Sequence, residues 1–101
     1  MDRAGTYLSV RTRAFDALFE KLPLAVQEHA EALFRNYFLV DPEHPILRGK
    51  LVRDRVAQRI AYRVRVGYQY RAMAVIDDSG EQRVFVWYWI GSHADYDQRL
   101  A

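Results

Sequence analysis

The chain has 101 residues, of which half are apolar, and a net charge of +2, so it is long enough for one domain with a hydrophobic core. It contains no cysteine, which excludes disulfide bonds, thiolate metal sites and a cysteine nucleophile. No apolar run approaches the roughly 20 residues of a membrane span, and residues 1–10 lack the apolar core of a signal peptide. We therefore expect a single domain over residues 1–101, located in the cytoplasm and away from membranes.

The first half of the sequence predicts one strand and two helices. Residues 6–13 alternate polar and apolar side chains as a strand does. Residues 14–22 place apolar side chains at helical spacing, and residues 24–40 carry a wide apolar stripe opposite a polar one. Pro23 separates the two helices, and the two prolines within residues 41–45 end the second one.

The second half predicts three strands that follow a basic loop. They cover residues 58–67, 70–76 and 83–90, and the sequence DDSG at 77–80 favours a turn. The strand at 83–90 is apolar on both faces, so we expect it to be central in the sheet. The order β-α-α-β-β-β predicts an α+β domain, with two helices packed on one face of a mainly antiparallel sheet.

Positive charge is concentrated in the middle of the chain. Residues 48–71 hold eight basic groups against one acid, Asp54. Strand alternation turns Ile60, Tyr62, Val64 and Val66 toward the helices, and it places Arg59, Arg63 and Arg65 together on the other face, which we expect to be open. Strand residues two apart are about 6.6–6.8 Å apart on one face, which is similar to the spacing of phosphates along one nucleic-acid strand, so the pattern favours a polyanionic partner. The alternative is a solvated or protein-paired arginine surface.

The histidines do not predict a metal site. His29, His44 and His93 are far apart and lack the spacing of metal ligands, and no motif indicates a cofactor. We interpret His29 as a boundary residue of the second helix, and we expect His44 to make a hydrogen bond to the backbone.

His93 is the best candidate for chemistry. It follows the last buried strand, with Tyr96 and two aspartates close by, and Gly91 predicts a sharp turn between them. Cleavage of RNA by its own 2′-hydroxyl needs a base, an acid and positive charge at the phosphate. His93 can act as acid or base near neutral pH. A neighbouring aspartate would favour its protonated form, hence the role of general acid, and Tyr96 could donate a proton or stack on a base.

Three segments carry a resemblance to a known family. They are DPEHPILRGK, YRVRVGYQYRAMAV and VWYWIGSHADYD, and the last resembles the ending W-x-W-I-G-x-H-x-x-Y-[DE]. The chain resembles the RelE/ParE superfamily of bacterial toxins from toxin–antitoxin systems over nearly its whole length. The resemblance implies a β-α-α-β-β-β toxin that a cognate antitoxin neutralises. Many RelE-like members cut mRNA on the ribosome, whereas ParE-like members inhibit DNA gyrase.

The resemblance also implies roles for Lys50, Arg65, Arg71, His93 and Tyr96, which match family positions, whereas Arg59 and Arg63 are added from the strand alternation. The expected catalytic set is His93, Tyr96, Arg65 and Arg71, and the expected substrate-binding set is Lys50, Arg59 and Arg63. We expect a metal-free mRNA endoribonuclease that inhibits translation, with mRNA, the ribosome and an antitoxin as its partners. The alternatives are a gyrase-binding toxin without enzymatic activity and a degenerate toxin that only binds its antitoxin.

Overall fold

The computed structural model describes residues 7–101 and contains one five-stranded sheet with helices on both faces. The strands are β1 (Tyr7–Arg11), β2 (Lys50–Asp54), β3 (Arg59–Val66), β4 (Tyr70–Asp77) and β5 (Arg83–Ser92). The helices are α1 (Arg13–Glu20), α2 (Leu24–Leu33) and α3 (His93–Leu100), and α2 continues into a π-helical turn at Phe34–Phe38. None of the described helices is long and apolar enough to cross a membrane. The predicted α+β class is confirmed; the predicted strand start at Thr6 lies outside the described residues.

The sheet order is β1-β5-β4-β3-β2. β1 runs parallel to β5, and the other neighbours are antiparallel. β5 therefore lies between two strands, as its apolar composition predicted. The parallel pairing requires a crossover, which the helical half of the chain supplies.

The helices α1 and α2 pack on one face of the sheet, called here the helical face. Thr12 caps α1 by accepting a hydrogen bond from the Phe15 amide at 3.1 Å. The core between helices and sheet is strongly aromatic and includes Phe15, Phe19, Leu33, Phe38, Tyr62, Val64, Phe85 and Trp87. Ile60 is an exception to the predicted alternation, because it is 51% exposed where the helices no longer cover β3.

Two elements were not among the predicted strands and helices. The basic segment before residue 58 contains β2, which pairs with β3 so that Val52 lies opposite Ala61. The C-terminal residues form α3, whose first turn is capped by Ser92: its hydroxyl accepts a hydrogen bond from the Asp95 amide at 3.1 Å.

The helix α3 packs on the opposite side of the sheet, called here the α3 face. A second core lies beneath it and is formed by Ala61, Met73, Trp89 and Tyr96. The expectation of an open arginine face is therefore wrong. Strand alternation gave the correct side for the arginines, but it could not show that the end of the chain folds back over them.

A β-bulge in β5 gives the α3 face two consecutive aromatic residues. Met73 pairs with Trp89 and Ala74 with Trp87, so Tyr88 has no partner on β4. Trp87 consequently packs in the helical core and Trp89 in the second core.

Gly91 belongs to β5 and does not form the predicted turn. A Cβ atom at this position would lie 2.6 Å from Cζ2 of Trp89. Glycine is required at this position because the indole ring of Trp89 occupies the space that a Cβ atom would need.

Asp54 anchors α3 to the sheet. This residue is fully buried at the end of β2, and its Oδ2 accepts hydrogen bonds from the Tyr88 hydroxyl at 2.6 Å and from Arg99 Nη2 at 3.0 Å. Its Oδ1 accepts from the amides of Val56 and Ala57. Burial alone would raise the pKa of Asp54, but these hydrogen bonds outweigh burial and hold the pKa below its ordinary value.

We predict that Gly91→Ala destabilises the protein, because the rigid Trp89 ring must move to admit the methyl group. The expected loss of unfolding free energy is about 1–3 kcal/mol, as for other overpacked sites. Urea denaturation measures it. Gly80→Ala is the matched control, since nothing lies within 4 Å of a Cβ there; equal losses in the two variants would contradict the steric explanation.

We also predict an acid-sensitive contribution from Asp54 to stability. Because the pKa is lowered by folding, the contribution is complete above the unfolded pKa of about 4 and is lost as pH falls through the folded pKa. Urea midpoints measured from pH 5 downward should fall less steeply for Asp54→Asn than for the parent. Asp78→Asn removes a carboxylate from an exposed ion pair with Arg83 and should retain the parent slope; an unchanged slope in Asp54→Asn would refute the assignment.

Candidate active site on the α3 face

Three arginines meet on the α3 face and are called here the arginine cluster: Arg63, Arg65 and Arg71. Arg65 on β3 lies directly opposite Arg71 on β4, and Arg71 lies opposite Gly91 on β5. Arg63 is two residues from Arg65 on the same strand, so alternation turns it to the same face. The cluster is therefore fixed by strand register.

The arginine cluster is largely buried. Arg63 is 6% exposed and Arg71 is 3% exposed, while Arg65 is half-buried. Arg63 donates to the Arg48 carbonyl at 3.0 Å, and Arg71 donates to the carbonyls of Tyr68 and Tyr70. These backbone contacts hold two of the three guanidinium groups in place.

The cluster retains unused hydrogen-bonding capacity. The Nε atoms of all three arginines are buried without a partner. Within residues 7–101, no carboxylate lies within 4.0 Å of these guanidinium groups. Burial lowers the pKa of Arg63 and of Arg71, and nearby guanidinium charge lowers it further, yet arginine stays charged at neutral pH. Crowded positive charge with free donors is suited to binding an anion such as phosphate.

Tyr96 reaches the arginine cluster from α3. Its ring centroid lies 5.8 Å from the Arg63 guanidinium carbon, and the residue is 4% exposed. Burial raises the pKa of Tyr96, although the charges of Arg63 and Arg71 oppose the shift. The phenol therefore keeps its proton at neutral pH and can donate it.

His93 lies at the rim of the cluster, at the first position of α3. Its backbone amide donates to the Gln69 carbonyl at 2.6 Å, which ties the start of the helix to the β3–β4 turn. The ring centroids of His93 and Tyr96 are 6.3 Å apart. The nearest carboxylate is that of Asp97, with Oδ1 3.5 Å from Nδ1 of His93. About half of the His93 side chain is exposed, so a substrate can reach it.

The remaining predicted residues lie around this site or away from it. Lys50 pairs with Arg63 across β2 and β3, shares its face and is exposed. Arg59 is at the far end of β3, where its guanidinium carbon lies 5.3 Å from the Tyr88 ring centroid. The strand rise puts Arg59 about 13 Å from Arg63, so the structure does not bring Arg59 into the cluster.

The other two histidines lie elsewhere. Nδ1 of His44 accepts a hydrogen bond from the Ile46 amide at 3.2 Å, which confirms the predicted backbone bond. His29 is exposed on α2.

Sequence reasoning missed the residues that hold α3 in place. These are Asp54, Tyr88 and Arg99. One signal was available: Asp54 is the only acid among the eight basic residues of 48–71. A single acid in such a segment indicates a specific partner, but the sequence does not identify Arg99, which is 45 residues away.

Comparison with known proteins identifies the fold. No family model matches the sequence, and no curated protein matches it either. Among solved structures, a chain of the RelBE2 toxin–antitoxin complex from Mycobacterium tuberculosis matches with a TM-score of 0.63 and 21% identity, over 87% of this chain and 99% of that one. The YoeB/ParE toxin from Agrobacterium tumefaciens matches with a TM-score of 0.61 and 16% identity, over 85% and 98% of the two chains. The chain therefore has the fold of these RelE/YoeB/ParE-type structures.

Proposed function

We propose that this protein is the toxin of a toxin–antitoxin pair and that it acts as an mRNA endoribonuclease, with ribosome-bound mRNA as its substrate. The observation that carries this proposal is the arginine cluster with Tyr96 beside it. The cluster carries positive charge without a carboxylate partner among the described residues and presents part of it at half-buried Arg65, which suits a phosphate, and a protonated phenol next to it can protonate a leaving oxygen. A toxin that only binds gyrase has no need for a proton-transfer pair.

In the proposed reaction, the 2′-hydroxyl attacks the adjacent phosphate and the 5′-oxygen leaves. The arginine cluster stabilises the charge that develops on the phosphate oxygens. Tyr96 lies beside the Arg63 guanidinium and stays protonated at neutral pH, so it can donate its proton to the leaving 5′-oxygen. His93 acts as the base in the same reaction. Its Nδ1 is directed to Asp97, so its Nε2 can accept the proton of the attacking 2′-hydroxyl. The sequence allowed either role for His93 and favoured the acid; the base is proposed here because Tyr96 takes the role of the acid.

The same surface indicates how the toxin is neutralised. The RelBE2 structure is that of a toxin–antitoxin complex, and we infer a cognate antitoxin for this chain as well. Arg65 of the cluster is half-buried, and Lys50 beside the cluster is exposed. An antitoxin segment covering them would carry acidic side chains, with apolar anchors between them.

We predict that His93→Gln and Tyr96→Phe each lower mRNA cleavage by about 10²-fold, the usual scale for one acid–base group. Cleavage in a translating extract measures the effect, and thermal melting of the same variants checks the fold. His29→Gln is the matched control, because this histidine is exposed on the helical side of the molecule. If the parent cuts no RNA but inhibits gyrase supercoiling, the nuclease proposal fails and the gyrase-binding function replaces it.

We predict that Arg65→Ala also impairs cleavage, through weaker stabilisation of the phosphate. If about three to five phosphates are contacted, the affinity of the parent for single-stranded RNA should fall with salt, with a log–log slope of about −2 to −3.5. Removing one contact should reduce that slope by about 0.7. Arg13→Ala changes an exposed arginine of α1 and should leave the slope unchanged; a salt-independent affinity of the parent would refute phosphate binding.

A further inference from the structure

The second core contains a buried polar network that the proposed reaction does not use. Asp54 is the centre of this network, and both of its carboxylate oxygens are occupied. Oδ2 accepts from the Tyr88 hydroxyl at 2.6 Å, and from Nε and Nη2 of Arg99 at 3.2 and 3.0 Å. The carboxylate therefore joins the end of β2, the bulge of β5 and the last turn of α3.

Further contacts fix the same end of α3. The Arg55 amide donates to the Arg99 carbonyl at 2.8 Å. The Arg99 guanidinium carbon lies 5.2 Å from the Trp89 ring centroid, and Leu100 packs against the second core. Since the first turn of α3 is tied to Gln69, the helix is attached at both ends, to the two turns that flank β3.

The position of Arg99 determines where Tyr96 and His93 point. Residues three apart on a helix lie on the same side, about one turn from each other, so positions 93, 96 and 99 form one row. A helix of eight residues is too short to hold its orientation alone. Fixing Arg99 on Asp54 therefore sets both the rotation of α3 and its distance from the arginine cluster.

A buried ion pair is a weak source of stability, because desolvation offsets much of the attraction. The geometry of the pair is the more informative feature. Arg99 presents two donors of its planar guanidinium to one oxygen, while Tyr88 donates to the same oxygen from the sheet. This arrangement restricts the direction of the helix more than a hydrophobic contact would.

We propose that Asp54, Tyr88 and Arg99 are positioning residues, which hold α3 so that Tyr96 is aimed at the phosphate bound by the arginine cluster. The inference rests on the proposed function. None of the three touches the substrate: they act through Tyr96.

The test is a double-mutant cycle of Tyr88→Phe with Tyr96→Phe. Single-turnover cleavage of mRNA on programmed ribosomes gives the rate constant at saturating toxin and the half-saturating concentration. Tyr88→Phe should lower the rate constant about tenfold, as a small misplacement of a catalytic group does, and should leave the half-saturating concentration unchanged. In the Tyr96→Phe background, the same change should cost less than about twofold, because coupled residues are not additive.

Two further variants separate positioning from general stability. Arg99→Lys keeps the charge but loses the planar, two-donor contact, and should behave as Tyr88→Phe does. Arg83→Lys makes the same change in the exposed pair with Asp78 and should cleave as the parent does. Thermal melting and amide hydrogen exchange of α3 are measured on each variant. Faster exchange is expected in α3 for Arg99→Lys and not for Arg83→Lys.

The outcomes distinguish the two proposals. A parent that cleaves no mRNA overturns the proposed function, and the positioning role with it. If the parent cleaves mRNA but Tyr88→Phe lowers the rate constant equally in the parent and in Tyr96→Phe, the positioning role alone is overturned. A loss confined to the half-saturating concentration does the same, because it would assign the network to substrate binding.

Discussion

The carboxylate of Asp54 is the contact on which the α3 face depends. It is a fully buried charge, and an isolated buried charge would be very unfavourable. The Tyr88 hydroxyl, the Arg99 guanidinium and two backbone amides compensate it. Because these donors come from a turn, a central strand and the last helix, satisfying one carboxylate brings together segments that are far apart in sequence. The second core lies next to that junction, and the arginine cluster lies beyond it along β3.

Hydrophobic patterning predicted most of the fold. The apolar stripes of α1 and α2 and the two-sided apolar character of β5 gave the helix layer and the central strand correctly. The patterning failed at β2 and α3, which are short and polar. β2 is held by pairing with β3, and α3 by the Ser92 cap and the Asp54 contact. These are long-range or single-residue interactions, which periodicity does not report.

The candidate site, like the fold, could be predicted only in part from the sequence. Alternation along β3 correctly put Arg63 and Arg65 on one face, and the motif at the end of β5 led to His93 and Tyr96. The sequence could not reveal that Arg63 is buried beneath Tyr96. Burying like charges beside one another opposes folding. A local conflict of this kind is characteristic of functional sites, where stability is lost in favour of a ligand.

The bulge at Tyr88 makes the site depend on the pairing register of β5 as well as on the identity of its residues. Each residue of a strand points to the side opposite its neighbours, and the unpaired Tyr88 reverses that order for everything after it. If the same residues paired with β4 without a bulge, Trp89 would turn toward the helical face and Ile90, not Gly91, would lie opposite Arg71. Since α3 begins directly after β5, the start of the helix would also be displaced along β4 by one residue. A one-residue slip of register after the bulge would thus be more disruptive than most substitutions, because it exchanges the two faces of the sheet.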